Sequence, residues 1–185
     1  MLILASASPR RAELLRNAGL EFRAVSADVP EELEPGEDPV SYVRRLAQAK
    51  AQAIAARFSG DTVLGADTTV VIDRQILEKP RDADDARRML KRLSGRQHEV
   101  TTGICVIHDG TSVVEHETTI VTMDEIADVE IDRYVSSGEP MDKAGAYAIQ
   151  GIASRWASQI EGCYFNVVGL PVPRVYRILR KLGAA

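Results

Sequence analysis

Two arginines stand side by side near the start of the chain, in Ser6-Ala7-Ser8-Pro9-Arg10-Arg11. Ser8 occupies an N-cap position, and Pro9 the first helical position, where a missing N–H has no partner to lose. Arg10 and Arg11 therefore fall in the first turn of a helix, at the positive end of its dipole. Cations there are unfavourable by roughly a few tenths of a kcal/mol each unless an anion joins them. Free N–H groups, the hydroxyls of Ser6 and Ser8 and two guanidinium forks together make a phosphate cradle. The plainer alternative is a capped helix with two solvated arginines.

Two further residues conflict with their surroundings. Asp67 interrupts Thr62–Ile72, a run apolar enough to be a strand buried on both faces. A carboxylate there needs a cation, a metal or several donors. A structural ion pair is one solution, but the small neighbours Gly65, Ala66 and Thr68 point to an open site. Lys50 lies on the same helical stripe as Val43, Leu46, Ala47 and Ile54. It must either snorkel outward or meet an anion, and the alanines around it leave space for a ligand.

These side chains need elements to hold them. Leu2-Ile3-Leu4-Ala5 reads as a buried strand feeding the helix that starts at Pro9, whose stripe is Ala12, Leu14, Leu15 and Ala18 and whose end is marked by Gly19. A second strand is expected over 22–25, followed by an acidic, proline-bearing loop over 28–39, solvated for most of its length. One of its carboxylates could still reach back over the first turn of the chain to hold a metal. Lys50 belongs to a helix over 39–58. After the strand Thr62–Ile72, Asp73-Arg74 reads as a hairpin turn into Ile76-Leu77-Glu78-Lys79-Pro80, where Lys79 is forced extended by the following proline. A charged amphipathic helix over 82–93 looks structural. A long hairpin over 100–107 and 111–123 turns at His108-Asp109-Gly110. A short helix over 130–137, a loop of charges and small residues over 139–151, a strand over 156–160 and a helix through Leu182 complete the chain. Glu115 and Glu117 alternate on one strand face and read as its wet face, and Arg177, Arg180 and Lys181 suit a helix C-terminus.

A chain of 185 residues with 45% hydrophobic and 27% charged residues has material for one soluble domain, or two small lobes sharing a core. A net charge of -4 argues against a polymeric nucleic-acid partner. No apolar run is long enough to span a bilayer, no signal peptide is evident, and two cysteines, Cys105 and Cys163, form no CxxC; these features predict a cytoplasmic protein with no membrane partner. His98, His108 and His116 lack zinc-ligand spacing. A P-loop is absent, since there is no GxxxxGK[ST].

Five pieces in order resemble the Maf family of nucleotide pyrophosphatases: Ser6-Ala7-Ser8-Pro9-Arg10-Arg11, Gly65-Ala66-Asp67-Thr68, Glu78-Lys79-Pro80, the stretch from Glu139 to Gly151, and Asn166-Val167-Val168-Gly169-Leu170-Pro171. The resemblance covers the whole chain, 1–185, as a single domain. It implies an α/β fold with a mixed twisted sheet, flanking helices and two lobes around a central cleft, like that of the inosine triphosphate pyrophosphatases. It implies cleavage of a nucleoside triphosphate between its α and β phosphates with a divalent metal cation, Mg²⁺ or Mn²⁺. The pattern is most similar to the branch acting on dTTP and UTP. On that resemblance Asp67 is the catalytic acid and Arg10, Thr68 and Gln150 govern base selectivity. Ser6, Ser8, Arg11, Lys50 and Lys79 meet the phosphates, and Glu31 joins Asp67 at the metal, with Glu32 an equally near alternative. Gln150 could match its amide to the imide edge of uracil or thymine. The same chemistry on another or modified nucleotide, such as 7-methylguanosine triphosphate, is a second reading. A non-hydrolytic nucleotide-binding regulator of cell division is a third, and a plain partner-binding domain leaves Asp67 and Lys50 without a purpose. A homodimer is the expected assembly by base rate.

Overall fold

The computed structural model describes residues 1–184. Its strands are β1 (Leu2–Ala5), β2 (Phe22–Ala24), β3 (Thr62–Ile72), β4 (Gln75–Leu77), β5 (Gln97–His108), β6 (Thr111–Met123) and β7 (Ala157–Glu161). They form one mixed sheet in the order β2-β1-β3-β5-β6-β7, with β4 added on β3. Strand β1 runs parallel to both β2 and β3, whereas β4 is antiparallel to β3 and β7 to β6. The helices are α1 (Pro9–Asn17), α2 (Pro39–Ala55), α3 (Ala83–Leu93), α4 (Asp128–Ser136), α5 (Tyr164–Val168) and α6 (Val172–Leu182). The expected α/β class with a mixed sheet and flanking helices is the one observed. No helix among the described residues is long and apolar enough to cross a membrane.

The chain divides into two compact units, and β3, β5 and β6 contribute residues to both. The first unit takes residues 1–68, 102–117 and the segment from Gly169 onward. Its core gathers Ile3, Ala5, Ala47, Ala51, Ile54, Val63 and Cys105 around α2. Two glycines set how closely α2 approaches the sheet. A Cβ on Gly65 would lie 2.2 Å from the Ala47 carbonyl oxygen, and one on Gly103 would lie 2.2 Å from that of Val43. Both are therefore required for space, so that helix backbone and strand backbone meet directly. Helix α1 begins as read: the Ser8 hydroxyl accepts from the Arg11 N–H, Pro9 follows, and Gly19 turns left-handed at φ 70°.

The second unit takes residues 69–101 and 118–168. Helices α3 and α4 pack together through buried Met89, Leu90, Leu93, Ile131, Tyr134 and Val135. Asp73 and Arg74 both take positive φ, 51° and 62°, as a two-residue turn between β3 and β4 demands.

Several boundaries differ from the sequence reading. Helix α2 stops at Ala55 instead of 58, because Arg57 and Phe58 donate to the carbonyls three residues back and tighten the chain into turns. Helix α4 starts two residues early, at Asp128, where an acidic first turn suits the dipole. The 139–151 stretch contains two 3₁₀ turns, Glu139–Asp142 and Ala144–Ala146, and lacks apolar periodicity because Gly145 and Ala146 both lie at positive φ. Helix α5 was not expected at all; five residues are too few to show a period. Glu115 and Glu117 are partly exposed but not merely solvated: Arg174 of α6 holds them at 2.9 and 2.6 Å.

Candidate active site

The out-of-place lysine and aspartate of the sequence meet each other. Lys50 Nζ on α2 donates to Asp67 Oδ1 on β3 at 2.7 Å, and Glu31 Oε1 lies 2.6 Å from the same nitrogen. Gly65 and Asp67 share a face of β3 by strand alternation, so the close approach of α2 at Gly65 brings Lys50 over the acid. The Lys50 and Asp67 side chains are 9% and 12% exposed, but that of Glu31 is 49% exposed, so the cluster has a solvent-facing end.

Glu31 is held there by the loop that carries it. The Tyr42 hydroxyl donates to the Glu31 backbone carbonyl at 2.9 Å. Arg45 donates from Nε and Nη2 to the two oxygens of Glu37, each at 2.7 Å, and from Nη2 to the Glu32 carbonyl at 2.9 Å. That fork holds the Glu37 carboxyl below the usual range, so the pairing persists through neutral pH. The acidic loop is thus fastened to α2 rather than merely solvated, and it is the Glu31 side chain, not Glu32, that pairs with Lys50.

The first turn of α1 makes a second cluster in the same unit. Arg11 donates from Nε to the Gly169 carbonyl at 2.8 Å, from Nη1 to Ser6 Oγ at 3.2 Å and from Nη2 to Thr68 Oγ at 3.0 Å. Three of its five N–H groups are thereby committed to the protein, which leaves two for an anion. Burial pulls the Arg11 pKa down from the usual arginine range, Asp67 and Glu31 oppose this, and the neighbouring Arg10 charge adds to it. Ser8 caps the helix with its hydroxyl, while its N–H donates to Ser6 Oγ at 3.2 Å. Thr68 Oγ also contacts Thr102 Oγ at 2.9 Å and donates to the Gly169 carbonyl at 3.2 Å. Arg10 is half-buried in the same turn.

Ser6, Ser8, Arg10, Arg11, Glu31, Lys50, Asp67 and Thr68 therefore all belong to the first unit, and the contacts above join most of them into two clusters. Lys79 and Gln150 belong to the second unit, both exposed. There, Gln150 sits in a segment fixed by Tyr134 and Glu139, and His98 Nε2 lies 2.7 Å from the Tyr147 hydroxyl. Burial raises the Tyr134 and Tyr147 hydroxyls well above the usual phenol range, which keeps both protonated as donors. It lowers His98 to about 4, so that imidazole is neutral at pH 7.

Sequence reasoning missed Gly169 and Thr102 as partners of the first cluster. Gly169 lies within the Asn166–Pro171 motif, but a carbonyl acceptor leaves no mark on residue type; Thr102 carried no signal.

The donor set suits a hard divalent cation arriving with phosphate. Glu31 and Asp67 both reach one point of positive charge, and Mg²⁺ is commonly held by one or two carboxylates together with substrate phosphates and water. Among the described residues no group of three or more His, Cys, Asp or Glu is placed to hold a metal.

A protein named dTTP/UTP pyrophosphatase from Koribacter versatilis (strain Ellin345) is 59% identical over 98% of this chain and 94% of its own length. Proteins of the same name from Geobacter sp. (strain M21) and Syntrophomonas wolfei subsp. wolfei are 53% and 49% identical, over 99% and 97% of this chain and 96% of each relative. Among solved structures, the Staphylococcus aureus Ham1 protein aligns with a TM-score of 0.57 at 15% identity, over 97% of this chain and 98% of that one, a likeness of fold alone. Residues 1–182 match the family described as Maf-like protein, and the chain belongs to that family.

Proposed function

We propose that this chain is a nucleoside triphosphate pyrophosphatase that hydrolyses dTTP and UTP to the monophosphate and pyrophosphate. The observation that carries the reading is the Lys50 ammonium held between the Asp67 and Glu31 carboxylates in the same unit as the arginine-bearing first turn of α1. The choice of nucleotide rests on the relatives of that name at 49–59% identity.

A bound triphosphate brings about four negative charges, which Arg10, the remaining N–H groups of Arg11, and Lys50 would meet. Asp67 accepts the proton of the attacking water as its oxygen bonds to phosphorus, and pyrophosphate leaves with the electron pair of the broken P–O bond. Glu31 and Asp67 are the residues that would hold a divalent cation, which supplies neutralisation of phosphate charge when bound. Arg10, Thr68 and Gln150 are assigned to base selectivity by resemblance, and Lys79 to phosphate contact. A cytoplasmic homodimer is the setting favoured by composition and by the prevalence of two-fold assemblies.

The test is pyrophosphate release from a panel of canonical and modified triphosphates, with and without Mg²⁺ or Mn²⁺. Metal-dependent release from dTTP and UTP above all others is expected. Release mainly from another nucleotide would reassign the substrate. Tight binding with no release would leave a regulator in place of an enzyme.

A further inference from the structure

The segment from Glu139 to Ile152 is closed on itself through one oxygen atom. Tyr134, fully buried on α4, donates its hydroxyl to Glu139 Oε1 at 3.1 Å and accepts from the Ala148 N–H at 3.3 Å. The same Glu139 Oε1 accepts from the Ile152 N–H at 3.2 Å. The first residue of the segment thus grips its last. Gly151 bears the mark of that grip, because a Cβ there would lie 2.0 Å from Glu139 Oε1. Only a glycine lets the carboxylate lie against the backbone beside Gln150.

Other restraints keep the segment from shifting. The Tyr134 ring stands edge-on to Trp156 with centroids 5.3 Å apart, and Tyr147 is tethered to His98. Ala146 is held at φ 61°, a conformation alanine adopts only where its surroundings over-determine it. Against this fixed frame Gln150 is exposed, between buried Ile149 and half-buried Gly151.

We propose that Glu139, fixed by Tyr134, is a positioning residue for base selectivity: it sets the backbone at Gly151 and Ile152 and so aims the Gln150 side chain. This rests on the reading of Gln150 as the residue that meets the base. The role needs an acceptor oxygen at Oε1 and not a negative charge, since both partners are uncharged donors. A glutamine supplies that oxygen; an alanine does not.

The experiment measures kcat and KM of the full chain for UTP and CTP, alongside melting temperature. Glu139→Ala, Gly151→Ala and Tyr134→Phe each lower the preference for UTP over CTP by about ten-fold, through KM, with kcat on UTP held within about two-fold. Tyr134→Phe keeps the ring against Trp156, so it serves where Glu139→Ala folds poorly. Glu139→Gln retains the wild-type preference. Gln150→Ala is the control for the reading beneath. If Gln150→Ala abolishes the preference while Glu139→Ala and Tyr134→Phe keep it, the positioning role is wrong and the base reading stands. If Gln150→Ala leaves the preference intact, the base reading falls and the proposal with it. Equal losses on both nucleotides with a lowered melting temperature, or loss of preference in Glu139→Gln, also overturn it.

Discussion

The Lys50 cluster and the Glu139 segment are both tightly bonded, yet by opposite means. Around Lys50, charge is balanced by charge: an ammonium against two carboxylates, with an arginine pair in the same unit. Around Glu139, a single carboxylate oxygen is met by a hydroxyl and an amide, Tyr134, Trp156, Tyr147 and His98 add neutral contacts, and the Lys143 ammonium meets Glu139 only at its backbone carbonyl, at 2.6 Å. Ionic partners can be exchanged for those of an incoming polyanion and its counter-ion at little net cost, because each lost pair is replaced by another. Bonds from a hydroxyl and a backbone amide to one fixed oxygen have no such substitute, and they hold their geometry whether or not a ligand is present.

The contrast is open to direct attack. On the proposed mechanism Asp67→Asn removes the proton acceptor, and kcat should fall by roughly 10²–10⁴-fold while nucleotide binding persists. Equilibrium binding beside steady-state kinetics checks this, and near-normal turnover would remove Asp67 from the reaction. Lys50→Met leaves two carboxylates facing each other without their cation, so stability should drop by about 3–5 kcal/mol. If the cluster is exchangeable, Mg²⁺ should restore the melting temperature of this variant more than it raises that of the wild type. No difference between the two would mean that the carboxylates do not share an ion.

Acid probes the neutral region. His98 has a pKa of about 4 in the folded chain against an ordinary 6.5, so the unfolded chain takes up the proton first as pH falls. Its contribution is whole above about pH 6.5 and is lost on the way down to about pH 4, reaching roughly 3 kcal/mol at most. His98→Phe should flatten the stability profile over that window, as chemical denaturation at stepped pH would show. A slope unchanged by the substitution would place the acid sensitivity elsewhere.

The two regions also differ in how far the sequence revealed them. Lys50 and Asp67 were visible because each violates a burial rule, and a violation asks for a partner. The helix start at Ser8-Pro9 and the turns at Asp73-Arg74 and Asp109-Gly110 were visible because capping and hairpin geometry restrict residue type. Glu139 broke no rule: a glutamate in a polar loop looks solvated, and its partners are a tyrosine hydroxyl and a backbone N–H that any residue could offer. Arg11 was read as a phosphate ligand from its place on the helix dipole, yet much of its fork is committed to Ser6, Thr68 and a carbonyl at Gly169. Partners distant in sequence and backbone acceptors are the two things that pattern and propensity do not encode.

Gly65 and Gly103 make room for α2. Their absent side chains also act as a gauge. With no methyl group between helix and strand, main chain rests on main chain, and that spacing sets how near the base of Lys50 stands to Asp67. A methyl at position 65 would act as a shim under the helix, lifting the base of Lys50 away from Asp67 without touching either residue.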